Sequence, residues 1–75
     1  MKIMVEVVGM SDYVLRSSLE DHKIITIMYV RNEEISQRNI KVLKIKDDEI
    51  EAYCYLRHQV RHFKKENILS AGYIH

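Results

Sequence analysis

The residues best able to do chemistry are Arg38, Tyr53, Tyr55, Arg57 and Arg61, in a run that also carries His58, His62 and Lys64. A guanidinium is a planar fork of donors. It grips a phosphate bidentately and stacks on an aromatic ring, and lysine does neither as well. Tyrosine rings beside such groups offer a surface on which nucleic-acid bases stack. Arg57 and Arg61 are four residues apart, an offset that places them on one face of a helix or of a continuous strand. If the chain reverses at His58-Gln59, they instead flank the turn. In each case they can converge, with Arg38 arriving from a neighbouring strand. The chemistry is anion binding, with a phosphate or single-stranded nucleic acid as ligand. The competing reading of the same residues is a solvated strand face, with Arg–Tyr stacking and ion pairs to Glu51 or Glu66.

The remaining reactive groups have plainer readings. His58 and His62 have metal-ligand spacing only on a helix, and this segment reads as turn and strand with no third ligand, so no metal is expected. The imidazoles, with Lys64, form a secondary basic edge whose charge follows pH. Cys54 has the parity of a small core residue and stands alone, so no internal disulfide can form. Asp47, Asp48, Glu49 and Glu51 read as a charged turn. There is no Gly-rich phosphate loop, no Ser-His-Asp order and no CxxC pair. The reading is therefore a binding protein without a catalytic centre and without a cofactor.

The elements that must hold these residues are mostly strands. Residues 2–8 alternate weakly, which predicts a short strand broken by Gly9. Ser11 is a suitable N-cap for a helix over 12–21, with Val14, Leu15, Ser18 and Leu19 on its apolar face. Residues 23–31 are β-branched and aromatic on both faces, as in a strand covered on both sides. Residues 35–46 form a long second strand whose apolar parity switches near Val42-Leu43, the mark of a bulge. After a turn at Asp47-Asp48, residues 49–57 alternate: Ile50, Ala52, Cys54 and Leu56 inward, Glu51, Tyr53, Tyr55 and Arg57 outward. Residues 60–64 give the next strand, 66–68 a helical turn, and 69–74 a closing strand. The sum is a mainly β protein: a small SH3-like or Sm-like β-barrel of about five strands, with an N-terminal helix and a short helical turn before the last strand.

Composition sets the frame. Seventy-five residues make one domain, 1–75, divided into an N-terminal strand-and-helix extension (1–22) and a barrel (23–74). A chain this short buries only about 60% of its unfolded surface, so oligomerisation would help it. The formal net charge is +1, so any basic surface must be local. The apolar start is too short for a signal segment or membrane span. A lone cysteine suits a reducing cytoplasm, where the protein is expected to reside.

The run Ala52-Tyr53-Cys54-Tyr55-Leu56-Arg57, followed by Arg61-His62-Phe63 and Ile68, resembles the C-terminal half of WYL domains, small β-barrels that regulate bacterial transcription factors. Ile25-Thr26-Ile27-Met28-Tyr29 is similar to the family's apolar strand ending in tyrosine, and Arg38-Asn39-Ile40 to its R-x-I strand. The resemblance spans about Lys23 to Ala71. The Trp-Tyr pair of the family's name would fall near Asp48-Glu49 and is absent; Ile50 stands for the leucine. Asn67 replaces an arginine, and Lys41-Val42 stands where a proline usually follows R-x-I. The resemblance implies a stand-alone sensor or regulatory binding module.

Two functions follow. One is a ligand-sensing or nucleic-acid-binding module, its partner a single-stranded nucleic acid or a small anionic effector. The other is a protein-interaction or homo-oligomer module in which the N-terminal strand and the strands of residues 23–46 pair with another chain by edge addition.

Overall fold

The computed structural model describes residues 2–74, with side chains from Asp12 onward. Its order is α1 (Lys2–Asp21), β1 (Ile25–Arg31), β2 (Glu34–Ile45), β3 (Glu49–Cys54), β4 (Gln59–Lys64), a one-turn 3₁₀ helix (Lys65–Asn67) and β5 (Ile68–Tyr73). This is the expected mainly β protein, with the helical turn before the last strand.

The N-terminal segment differs from expectation. Residues 2–8 are helical, Gly9 does not interrupt them and Ser11 falls inside the helix and not at its start: one helix of 20 residues runs through all three. A short apolar run reads equally well as strand or helix, and Ile3, Val7 and Met10 also recur at helical spacing. A helix nucleated over 12–21 extends at one hydrogen bond per residue, which absorbs the roughly 1 kcal/mol cost of an interior glycine. Val14, Leu15 and Ser18 are buried and Leu19 packs against the core, as their spacing predicts.

The five strands form one antiparallel sheet in the order β4-β3-β2-β1-β5. Its two edges, β4 and β5, are joined by only the three residues of the 3₁₀ turn. Laid flat, the edges would stand roughly 19 Å apart at ~4.8 Å per strand. A 3₁₀ turn advances only ~2 Å per residue, so the sheet must curl. It does not close, because β4 and β5 share no ladder. The expected barrel is thus barrel-like at most. Side chains span the gap: Tyr29 packs edge-on to Phe63, with ring centroids 5.0 Å apart. The Lys64 N–H donates to the Tyr29 hydroxyl at 3.2 Å.

Three further details depart from or refine the sequence reading. β1 is covered on one face only: Ile25 and Ile27 are fully buried while Thr26 and Met28 are half-buried, because α1 packs on one side of the sheet alone. The β2–β3 register shifts between Val42 and Lys44, at the parity switch, and Leu43 turns outward. β3 ends at Cys54 rather than continuing to 57; residues 55–58 turn, with His58 at φ 56°, and this leaves Leu56 exposed.

The core is the concave face of the sheet, where Ile25, Ile27, Ile40, Val42, Ile50, Ala52, Cys54 and Phe63 meet Val14 and Leu15 of α1. Among the described residues, Ser18 is the polar residue buried with them. The β1–β2 ladder begins at the Ile25–Ile40 pair, so continuing its register would pair Lys23 with Val42. The Ser18 hydroxyl sits in that place instead, donating to the Lys23 carbonyl at 2.6 Å and accepting from the Val42 N–H at 2.9 Å.

Candidate anion-binding site

Directly paired residues of an antiparallel ladder share a face. Arg61 pairs with the buried Ala52, so it stands on the concave face between Gln59 and Phe63. Arg38 pairs with the buried Ile27 and has the parity of Ile40, which puts it on that face as well. Arg31 continues the row Ile25, Ile27, Tyr29 to the end of β1. The helix-covered core occupies one end of the concave face, and these arginines occupy the other.

Two clefts open there. The first, about 400 Å³, runs from the concave face over the free edge of β4, past Tyr29, Arg31, Arg38, Arg61, Phe63 and Lys64. The second, about 510 Å³, lies under the β1–β2 hairpin and is lined by Arg31, Ser36, Arg38 and, from the β3–β4 turn, Arg57. Four of the chain's five arginines line one or both. None of the four makes an ion pair among the described residues. Glu49 also lines the first cleft, but it faces Lys46 at 3.6 Å and His62 at 3.9 Å. Glu34 lines the second.

Arg38 is the best anchored of the four. Its Nε donates to the Ser36 hydroxyl at 3.2 Å and its Nη1 to Cys54 Sγ at 3.7 Å. Two bonds leave three of the five N–H donors of a guanidinium for a ligand. Burial pushes the Cys54 thiol up, but the Arg57 N–H, the Arg38 guanidinium and the Leu56 N–H together outweigh it and hold the thiol below its ordinary value.

Of the other residues singled out from sequence, His62 and Lys64 border the first cleft and the rest lie elsewhere. Tyr53 pairs with Lys41 and Val60 on the convex face, away from Arg38 and Arg61. Its ring meets Tyr55 edge-on at 4.9 Å, and Tyr55 borders a small convex-side hollow with Gln37, Asn39 and Leu56. His62 also faces the convex side, with Nε2 3.3 Å from Glu51. His58 is in the β3–β4 turn and Lys64 ends β4. The aromatic residues at the clefts are Tyr29 and Phe63. Arg31 and Tyr29 were not picked out as site residues from sequence. The signal was their shared parity with Ile25 and Ile27, but the sequence does not show which parity a sheet turns toward a cleft.

The fold is a small, curled, five-stranded antiparallel sheet with a flanking helix, and it has a counterpart among solved structures. It is similar to part of the proteasome accessory factor B/C (PafBC) of Arthrobacter aurescens, with a TM-score of 0.73 and 17% sequence identity. The match covers 85% of this chain and 11% of that one, so the chain spans about a tenth of its structural relative. No protein-family model and no curated protein matches the chain. Among the described residues, no helix is long and apolar enough to cross a membrane.

Proposed function

We propose that this protein is a non-catalytic regulatory module that binds a phosphate-bearing ligand, single-stranded nucleic acid foremost, on the concave face of its sheet, in the cytoplasm. The observation that carries this reading is the gathering of Arg31, Arg38, Arg57 and Arg61 around two adjoining clefts, with no carboxylate among the described residues paired to any of them. Like charges held together repel, and a ligand that supplies the missing negative charge relieves that repulsion. The resemblance of residues 23–71 to WYL domains and the fold shared with a segment of PafBC support a regulatory setting. Tyr29, within the first cleft, offers a ring on which a base can stack.

The test is fluorescence anisotropy of a labelled single-stranded oligonucleotide across a salt series, with wild type beside an Arg38→Gln/Arg61→Gln double variant. Expected is binding that weakens with salt by about 0.7 log units per phosphate contact and is lost in the variant. Equal affinity in the two proteins overturns the site.

A second reading is supported by a different observation: β4 and β5 are free edges carrying the exposed Val60 and Leu69. These edges can accept a strand from a protein partner or a second copy. β1 and β2, the strands expected to do so, are interior to the sheet, and residues 2–8 are helical. Sedimentation equilibrium of wild type and a Val60→Lys/Leu69→Lys variant tests it; a monomer in both counts against self-pairing at these edges.

A further inference from the structure

The positive charge of the site is arranged around two compartments that touch. Arg31 and Arg38 line both clefts, Arg61 and Lys64 line only the first, and Arg57 lines only the second. Each compartment lies within the roughly 300–1,000 Å³ range of a single small-ligand pocket. Each therefore has room for one ligand unit and its own private guanidinium, with two guanidiniums on the shared wall. A single phosphate in either cleft would leave the far arginine unanswered. Glu49 lines the first cleft but pairs with none of its arginines; its carboxylate lies 3.6 Å from Lys46 and 3.9 Å from His62. Glu34, in the second, stands opposite Arg31 in the hairpin register without an ion pair to it.

We infer that the two clefts are consecutive phosphate subsites of one channel, so that the preferred ligand is a stretch of single strand presenting two successive phosphates. One phosphate sits between Arg61 and the Arg31–Arg38 wall, and the next between that wall and Arg57. The inference rests on the reading of this face as a phosphate site, and it adds the ligand's minimum length and the role of Arg57. Arg38 is the pivot because Ser36 and Cys54 hold its guanidinium while it lines both clefts with three of its five donors left for a ligand. Once the first phosphate is seated, the second contact is intramolecular, and such linkage raises affinity by about 10²–10⁴ when the geometry fits.

The experiment is calorimetric titration of the full chain at low salt with di-, tri- and tetrathymidylate lacking terminal phosphates, which present one, two and three phosphates in turn. It is run on wild type and on Arg57→Gln, whose site in an exposed turn spares the core. The expected result is a gain of at least about a hundredfold from one phosphate to two, the low end of the linkage range, and a gain under about threefold from two to three. In Arg57→Gln the first gain also falls under about threefold. Binding that strengthens by equal increments with length, or a first gain retained in Arg57→Gln, overturns the two-subsite channel while leaving the phosphate reading intact. No binding of any probe, with a folded protein confirmed by circular dichroism, overturns both.

Discussion

Arg38 and Cys54 meet across the β2–β3 boundary: the Arg38 guanidinium, opposite Ile27 on the concave face, donates to the buried Cys54 sulfur at 3.7 Å. A residue that reads from sequence as a small core thiol is also the support of a cleft-lining cation. Cys54 is buried in the core, as its parity predicts, and its sulfur is where the core meets the arginine-lined end of the concave face.

That contact makes stability depend on pH in a definite direction. The folded-state pKa of Cys54 is lowered by the Arg57 and Leu56 N–H groups and the Arg38 guanidinium acting against burial. A depressed pKa stabilises the folded state in full above the unfolded value of about 8.5, and the contribution fades as pH falls through the folded value. Wild type should therefore gain stability over Cys54→Ser as pH rises from neutral toward 9. Urea denaturation at several pH values measures it, and a pH-independent difference would refute the coupling.

Ser18 takes the place of a ladder pair between Lys23 and Val42. Ser18→Ala leaves the buried Val42 N–H without its acceptor and should cost about 1–3 kcal/mol. Thermal or urea unfolding reads this directly. A loss below about 0.5 kcal/mol, the low end for a single hydrogen bond, would mean that another group satisfies that N–H.

The β1–β2 hairpin turns through Asn32 at φ 52° and Glu33 at φ 67°. Two consecutive left-handed residues are the signature of a two-residue hairpin turn that favours Asn-Gly. Glu33 carries a side chain where glycine is preferred, at about 1 kcal/mol. Glu33→Gly should stabilise the protein by up to about that amount, less the entropy glycine adds to the unfolded chain. A melting temperature below that of wild type would count against strain at this turn.

The curled sheet has no ladder between its edges, so the Tyr29 contacts carry part of the closure. Tyr29→Phe keeps the ring against Phe63 but removes the acceptor for the Lys64 N–H, and should cost about 1 kcal/mol. Tyr29→Ala also loses the ring pair and, because Tyr29 is only partly buried, should cost about 2–3 kcal/mol. Hydrogen exchange at Lys64 in Tyr29→Phe checks the first expectation; unaltered protection there would refute it.

The strands, the bulge near Val42, the Asp47-Asp48 turn, the 3₁₀ turn and the buried set Ile50, Ala52 and Cys54 follow from local periodicity and turn chemistry, and all were legible in the chain. Periodicity failed where it is physically ambiguous, in the short apolar run of residues 2–8, whose conformation depends on the helix it continues. It also misjudged Leu56, because the turn at residues 55–58 begins earlier than the alternation suggests. The arginines could be named from sequence by their chemistry, but their gathering could not be read there. Arg31, Arg38, Arg57 and Arg61 come from two strands, a turn and a third strand, and the strand order and sheet curl set by the three-residue link from β4 to β5 bring them to one face. The same pairing put Tyr53 and Tyr55 on the convex side and Tyr29 at the cleft. Residue type determined what this surface can bind; long-range register, which no local pattern encodes, decided which residues share it.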